Sequence, residues 1–136
     1  MDQRIASQLE RAVHAVAVFI GRELRHVGVS QAEVHVLLYA LDAGPAPIGD
    51  LHRSFGHRRS TLTSVVDRLE RRGLVERAPN PGDRRSALVL LTSDGRAVAQ
   101  EVARAMRALE DRIGERAGDD IPAFERVVAA VEEAAR

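Results

Sequence analysis

Apolar residues recur at steps of three and four along the first part of the chain. This period predicts an amphipathic helix from Asp2 to about His26. Between Ala12 and Ile20 the apolar positions cover much of the helix circumference, which is more than a helix packed on one side requires. A second partner for this helix is therefore expected. The positions that carry the period are Ile5, Leu9, Ala12, Val13, Val16, Ile20 and Leu24.

Two further helices are predicted in the next part of the chain. Ser30 is expected to cap the first of them, and Glu33, three residues later, completes a capping box. Gly44-Pro45 ends this helix, and Ala46-Pro47 is interpreted as a short connector. Residues 48–54 then predict one or two helical turns. The buried stripe of the longer helix is expected to consist of Val34, Leu37, Leu38 and Leu41.

The segment after Phe55-Gly56 has the clearest helical pattern in the chain. Its apolar residues lie at i, i+3, i+4 and i+7, and the pattern stops at Gly73, a residue type that commonly ends helices. A short helix, a glycine-containing turn and a longer helix have the spacing of a helix-turn-helix, whose second helix enters the major groove of DNA. The apolar stripe is Leu62, Val65, Val66 and Leu69.

The pattern then changes from helical to extended. Residues 74–78 and 87–91 are short apolar segments separated by a Pro-Asn-Pro-Gly-Asp loop that begins at Pro79, and they predict a β-hairpin. Further helices are predicted for residues 92–116 and 121–135. The fold class is therefore expected to be mainly α with a small β-hairpin wing, an α+β arrangement.

Composition limits the class of protein. A chain of 136 residues is long enough to bury its own core, so one domain over residues 1–136 is expected. The absence of cysteine excludes disulfides, thiolate metal sites and cysteine redox switches. No apolar run approaches the roughly 18 residues of a membrane span, and the amino terminus lacks the hydrophobic segment of a signal peptide. A cytoplasmic protein without a membrane partner is expected.

The net charge is zero, but the charges are segregated along the chain. All 20 basic residues are arginine, and 20 acidic residues balance them. Residues 51–85 contain nine arginines and four acidic residues, a balance of +5, whereas residues 1–50 and 101–136 carry −2 and −3. A basic segment between two acidic ones indicates that the middle of the chain contacts a polyanion.

The second helix of the helix-turn-helix presents polar residues opposite its apolar stripe. Helical geometry places Ser60, Ser64 and Asp67 on that face. Short hydroxyl side chains allow the backbone to approach DNA bases, and arginines reach guanine edges or phosphates. The predicted DNA-binding residues of this helix are Arg58, Arg59, Ser60, Thr61, Thr63, Ser64 and Arg68.

The tip of the hairpin supplies a second predicted contact. Arg84 and Arg85 follow the Pro-Gly-Asp turn directly, and a wing of this kind can reach the minor groove beside the helix. Arginine suits a narrow minor groove because negative potential is concentrated there. Asp83 is expected to hold the stem of Arg85 and to orient its guanidinium.

These motifs, in this order and spacing, resemble the MarR family of bacterial winged-helix transcription regulators. The resemblance covers about half of the chain, from Val29 to Arg96. It is carried by the segments STLT at residues 60–63, VDRLERRGLVER at 66–77, NPGDRR at 80–85 and LLTSDGR at 90–96.

The resemblance implies a winged helix-turn-helix over residues 30–96, flanked by N- and C-terminal dimerisation helices in residues 1–28 and 99–136. It implies a homodimer in which the first and the last two helices interlock, and it places Arg85, with Arg84, in the minor groove. A twofold dimer would hold its recognition helices about 34–36 Å apart, facing a pseudo-palindrome. The interface residues expected are Leu9, Val13, Val16, Ile20, Phe124, Val127, Val128 and Val131.

Members of this family often release DNA when a small aromatic or lipophilic effector binds, so a ligand-responsive repressor is implied. With three Phe, one Tyr and no Trp, an effector pocket would be mainly aliphatic. Arg11, His14 and Tyr39 are polar candidates for it, but the sequence fixes no ligand-binding residue. Two positions depart from the family pattern. His52 stands where a small residue is usual, and Glu33-Val34 replaces a glutamine and an aromatic residue.

An enzyme is a competing interpretation, and the sequence does not favour it. No metalloprotease motif, nucleophile elbow or phosphate loop is present, and neither a catalytic residue nor a cofactor is expected. The histidines have no partner pattern; they are His14, His26, His35, His52 and His57.

Two more interpretations keep the winged-helix fold. Glu23 and His26 lie at i, i+3 on one helix and could form half of a metal site, which would make the protein a metal-sensing regulator. The sequence shows no second half, so no metal is expected. The remaining interpretation is a winged-helix module that binds another protein, without specific DNA binding.

Overall fold

The computed structural model describes residues 4–56 and 58–136, without the side chains of Phe55 and Arg59. The predicted helix start at Asp2 and one of the five histidines, His57, lie outside this part of the chain. The elements, in chain order, are α1 (Ile5–Glu23), α2 (Gln31–Ala43), β1 (Ala46–Pro47), α3 (Ile48–Phe55), α4 (Arg59–Arg71), β2 (Val75–Pro79), β3 (Ala87–Leu91), α5 (Ser93–Ala117), a 3-10 turn (Gly118–Asp120) and α6 (Ile121–Ala134).

The mainly helical fold with a hairpin wing is confirmed, and so is the predicted start of α2. The hydroxyl of Ser30 accepts a hydrogen bond from the Glu33 amide at 3.2 Å, and the Glu33 carboxylate accepts one from the Ser30 amide at 3.2 Å. This reciprocal pair satisfies two amides that the first helical turn leaves without partners. Gly44 ends the helix, with its amide bonded to the Ala40 carbonyl.

The interpretation of Ala46-Pro47 as a connector is wrong. These two residues form strand β1, which pairs antiparallel with β3 and gives a three-stranded sheet of order β1-β3-β2. Ala46 lies opposite Val89, and Pro47 lies opposite Leu88. Two residues are too short to show alternation, and a proline is tolerated here because β1 is an edge strand. The hairpin thus has β3 as the central strand of a sheet, and its Val89 is fully buried.

The core of the winged helix-turn-helix is built from aliphatic side chains of α2, α3, α4 and the sheet. Burying such side chains is the main source of stability for a chain without cysteine, which can form no disulfide. The stripe of α4 is buried, as its sequence period predicts. The stripe predicted for α2 is confirmed only at Val34 and Leu37, because Leu38 and Leu41 are half-buried, and Val36 and Ala40 are buried instead. The largest fully buried side chains of α1 to α4 and of the turn after α1 are Leu24, Val34, Val36, Leu37, Leu51, Leu62, Val65, Val66 and Leu69.

The junction between the sheet and α5 depends on Gly95. A Cβ at this position would lie 1.7 Å from the carbonyl oxygen of Leu74, so no larger residue fits without a backbone shift. Thr92 completes the junction, because its hydroxyl donates to the Gly73 carbonyl at 2.6 Å and accepts from the Gly95 amide at 2.9 Å. The LLTSDGR segment is therefore a packing motif that fixes where α5 leaves the wing.

The chain divides into two units, Met1–Ala103 and Arg104–Arg136. All buried residues of the part that the structure describes belong to the first unit. The second unit contains the end of α5, the 3-10 turn and α6, in which no residue is buried within the single chain. Among residues 4–56 and 58–136, no helix is long and apolar enough to cross a membrane.

Candidate nucleic-acid interface

Helices α3 and α4 form the predicted helix-turn-helix. Gly56 ends α3 in the left-handed conformation, with φ of 65°, which glycine adopts without strain. Leu62, Val65, Val66 and Leu69 of α4 are each at most 1% exposed. This buried stripe fixes the rotation of α4 about its own axis and determines which residues face outward.

The outward face of α4 carries the predicted DNA-binding side chains. Ser64 is exposed on this face, and its hydroxyl donates a hydrogen bond to the Ser60 carbonyl at 3.1 Å. Arg59 begins the helix, but its side chain lies outside the described part. The predicted residues whose side chains are described and exposed are Arg58, Ser60, Thr61, Thr63, Ser64 and Arg68.

The wing tip is held by hydrogen bonds within the loop. The Asn80 side chain accepts from the Gly82 amide at 3.0 Å, and the Asp83 carboxylate accepts from the Arg85 amide at 2.9 Å. The expectation that Asp83 orients the guanidinium of Arg85 is corrected here, because Asp83 bonds the main chain of that residue. A carboxylate two residues before an amide forms an Asx turn. Asp83 therefore shapes the tip, while Arg84 and Arg85 are exposed.

Helix α4 and the wing border one groove. Thr63 of α4, Arg53 of α3 and Arg85 of the wing are among its lining residues, and its volume is about 600 Å³. The structure thus brings together residues from two of the predicted contact segments, which are separated by more than 20 positions in the sequence.

Three arginines of the basic segment bind acidic side chains of the same chain. Arg77 of β2 donates to Asp67 at 2.5 Å and to Glu70 at 2.9 Å, both on α4. Arg72 lies 3.5 Å from Glu33, and Arg53 pairs with Asp50. These pairs were not predicted from the sequence, although Asp67 and Glu70 at i, i+3 place two carboxylates side by side.

Five other arginines of this segment have no carboxylate partner in residues 4–56 and 58–136, and all five are exposed. Asp67 and Glu70 are the acidic residues of α4, and the single positive charge of Arg77 offsets one of their two negative charges. The excess positive charge of the basic segment is therefore carried by exposed arginines around α4 and the wing tip. The five are Arg58, Arg68, Arg71, Arg84 and Arg85.

His52, which departs from the family pattern, is half-buried. Its Nδ1 atom is buried and has no hydrogen-bond partner. The ring therefore points partly into the packing of the helix-turn-helix, and it does not lie flat on the surface.

The other half of the suspected metal site is not found. Glu23 lies 3.4 Å from Arg22, and His26 pairs with Glu101 of α5. Over the described residues, no three histidine, aspartate or glutamate side chains form a group that could hold a metal ion.

The residues predicted for the dimer interface fall into two groups. Ile20 is 2% exposed and already packs within its own chain. The others are exposed or half-buried, and Val13 and Phe124 are 55% and 52% exposed. All exposed large apolar side chains that the structure describes lie before residue 19 or after residue 112; they are Ile5, Val13, Val18, Ile113, Phe124 and Val127.

Comparison with known proteins agrees with this geometry. Residues 29–87 match the model of the MarR family, and this segment contains α2, the helix-turn-helix and the hairpin up to the start of β3. This segment of the chain belongs to the MarR family. Proteins of this family are transcription regulators, and this member is accordingly a DNA-binding transcriptional regulator.

Two curated MarR-type relatives illustrate the similarity. The chain is 28% identical to the HTH-type transcriptional regulator YsmB of Bacillus subtilis over 125 aligned residues. This alignment covers 88% of this chain and 86% of YsmB. It is 36% identical to the HTH-type transcriptional repressor NicR of Pseudomonas putida over 77 aligned residues. This alignment covers 56% of this chain and 49% of NicR. The chain thus spans most of YsmB but about half of NicR.

Solved structures extend the similarity over the whole fold. A probable transcriptional regulator from Pseudomonas aeruginosa is 26% identical with a TM-score of 0.76, covering 96% of this chain and 98% of that one. BpsR of Bordetella bronchiseptica, whose DNA binding is regulated by 6-hydroxynicotinic acid, has a TM-score of 0.80 at 23% identity, covering 96% of this chain and 99% of that one. At that identity the likeness to BpsR concerns the fold.

Proposed function

We propose that this MarR-family regulator binds a pseudo-palindromic operator as a homodimer, with α4 in the major groove and the wing in the adjacent minor groove. The observation that carries the proposal is the set of five exposed arginines without acidic partners around α4 and the wing tip. Phosphate neutralisation by such side chains supplies much of the affinity of proteins for DNA.

Within α4, short and long side chains have different roles. Ser60, Thr61 and Thr63 are exposed on the first turns, where they allow the helix backbone to approach base edges. Arg68 has the length and the planar fork to bind a guanine edge or a phosphate. Arg58 precedes the helix and offers a charge to the phosphate backbone.

The wing acts through Arg85, with Arg84 beside it. The Asp83 turn holds the main chain of Arg85 by a 2.9 Å hydrogen bond, so the side chain projects from a fixed backbone position. A pre-arranged donor loses less conformational entropy on binding. We infer that Arg85 enters the minor groove and that Arg84 contacts the phosphates.

The homodimer is proposed because apolar side chains are exposed where the family resemblance implies dimerisation helices. Large exposed apolar side chains on a water-soluble surface mark interaction sites. Val13 on α1 and Phe124 on α6 are more than half exposed in the single chain, and a second copy would cover them. We propose that residues 1–28 and 99–136 form the dimerisation region and that residues 30–96 bind DNA.

A ligand-responsive repressor acting in the cytoplasm is the finer form of this function. NicR is named a repressor, and the DNA binding of BpsR is regulated by 6-hydroxynicotinic acid. We infer that a small aromatic or lipophilic effector releases this protein from its operator. A panel of phenolic and aromatic acids, added to the protein–DNA complex, tests this step by loss of DNA binding.

The DNA-binding geometry is tested with the duplex that precedes the gene of this protein. Arg85→Ala is expected to weaken binding by about 1–3 kcal/mol and to make the slope of log affinity against log salt shallower by about one. Glu76→Ala on β2, which removes an exposed charge that has no role in the proposal, serves as the control. Binding that does not depend on salt, or no retardation of the duplex, would favour a module that binds another protein.

A further inference from the structure

Arg72, at the end of α4, links this helix, the proposed recognition helix, to the turn that follows α1. Its guanidinium donates to the Val27 carbonyl at 2.5 Å and to the Gly28 carbonyl at 3.1 Å. It also lies 3.5 Å from the carboxylate of Glu33 at the start of α2. One side chain thus joins the end of the recognition helix to two other elements of the same unit.

Glu33, the acidic partner of Arg72, is buried and hydrogen-bonded at the start of α2. It is 6% exposed and is the only buried charged residue in the described part of the chain. Its second carboxylate oxygen accepts from the Ser30 amide, in the capping box of α2. A buried carboxylate needs a cation and hydrogen-bond donors, because desolvation of an unpaired charge is unfavourable. Arg72 supplies the cation.

The turn that receives Arg72 is also fixed on a second side. Gly28 has φ of 68°, a left-handed conformation that turns the chain from α1 into α2. The imidazole of His26, two residues earlier, pairs with Glu101 of α5. The carbonyl groups of Val27 and Gly28 therefore belong to a segment that contacts α5 as well as α4.

The Arg72 contact lies at the end of α4 that is far from the proposed DNA-facing end, so a small change there moves the DNA-facing end by a larger distance. Helix α4 has 13 residues and is therefore about 20 Å long. A tilt of about 10° at its anchored end would move the DNA-facing end by about 3 Å. That distance is close to the separation of about 3.4 Å between successive base pairs. The direction of α4 must therefore be held closely for its first turns to meet specific bases.

We propose that Arg72 and Glu33 are positioning residues that set the direction of the recognition helix relative to α1 and so determine specific DNA binding. This inference rests on the proposed operator binding. Neither side chain lies on the exposed face of the first turns of α4, so both act through the helix and contact no base.

Glu33→Gln is the sharpest test, because charge and positioning predict opposite results. Removing a negative charge from a DNA-binding protein raises its affinity for DNA, which is a polyanion. If Glu33 positions α4, however, the substitution lets α4 move and lowers the affinity for a specific sequence. Glutamine retains the acceptor of the capping box, so the start of α2 is preserved. We expect Glu33→Gln and Arg72→Ala each to weaken binding of a selected duplex by about fivefold to thirtyfold.

The experiment uses the full-length chain and a duplex that the wild-type protein selects from a random-sequence library. A shuffled duplex of the same length and composition reports non-specific binding. We expect the two variants to change affinity for the shuffled duplex by less than about twofold. The double variant should bind the selected duplex no more weakly than Arg72→Ala does, since both substitutions act on one contact. The charge-matched comparison is Arg71→Ala, which removes the same charge from a neighbouring arginine of the proposed phosphate-binding set and is expected to weaken binding of both duplexes alike.

Several outcomes separate this positioning role from a direct phosphate contact. Equal loss on both duplexes, or a salt slope about one unit shallower in Arg72→Ala, would assign Arg72 to a phosphate and overturn the inference. Unchanged specific affinity in Glu33→Gln would also overturn it, with the proposed function intact. If Arg72→Ala does not fold, Glu33→Gln and Arg72→Lys test the positioning role instead. Lysine keeps the positive charge of Arg72 but lacks the planar guanidinium that bonds both carbonyl groups. A wild-type chain that selects no duplex would overturn the proposed function and this inference with it.

Discussion

Arg77 on β2 and Asp67 on α4 lie on different elements, yet Nη2 of the arginine is 2.5 Å from Oδ1 of the aspartate. The same guanidinium bonds Glu70 at 2.9 Å, and its side chain is 25% exposed. This one guanidinium thus bonds two carboxylates on the helix that is proposed to enter the major groove, and it offsets one of their two charges. An arginine that contacts no DNA can thus still matter for DNA binding.

Arg77→Ala is expected to lower DNA affinity by about tenfold, because it leaves Asp67 and Glu70 as unpaired negative charges near phosphates. Stability is expected to change little, since both carboxylates are about half exposed and such pairs contribute about 0–1 kcal/mol. Affinity is measured by fluorescence anisotropy with a labelled duplex. Adding Asp67→Asn to this variant should restore part of the affinity. A loss no larger than that of Arg71→Ala would argue against the neutralising role.

Gly95→Ala is expected to destabilise the winged unit by about 3 kcal/mol, because its Cβ would overlap the Leu74 carbonyl and force the backbone to move. Urea denaturation followed by circular dichroism measures the change. Gly114→Ala in the same helix is the matched control, since no atom other than those of its chain neighbours and its own helix backbone lies within 4 Å of the Cβ position, and alanine favours a helix. Similar stability of the two variants would contradict the close approach seen at Leu74.

Phe124→Glu is expected to dissociate the homodimer, because the twofold axis would bury two unpaired carboxylates in an apolar interface. The dimer dissociation constant should rise by about two orders of magnitude or more, measured by sedimentation equilibrium. Ala129→Glu adds the same charge on the opposite side of α6, at an exposed position, and should leave the dimer intact. A dimer that survives Phe124→Glu would move the interface away from this face.

His52→Leu is expected to stabilise the chain by about 1 kcal/mol, because it removes a buried nitrogen that has no hydrogen-bond partner. The melting temperature should rise by a few degrees in differential scanning calorimetry. His26→Leu is the comparison, since His26 is exposed and pairs with Glu101, and it should not stabilise the chain. A lower melting temperature for His52→Leu would indicate that the imidazole is satisfied at its buried nitrogen.

Most of the secondary structure could be predicted from the sequence because helices and hairpins leave local periodic signals. The stripe at Leu62, Val65, Val66 and Leu69 both predicted α4 and indicated its buried face, and burial confirms it. Ser30 and Glu33 predicted the start of α2 for the same reason, because a capping box spans four consecutive residues. Charge counting located the basic segment, since the residues that form it are neighbours in sequence.

The tertiary structure decided the features that depend on residues far apart in the chain. The two-residue strand β1 has no period of its own and becomes a strand because β3 lies beside it. The sequence determined that residues 51–85 are rich in arginine. Only folding decided that Arg77 and Arg72 bind acidic side chains of other elements while five other arginines stay exposed, because the choice between a carboxylate and solvent depends on which groups the fold brings within hydrogen-bond distance.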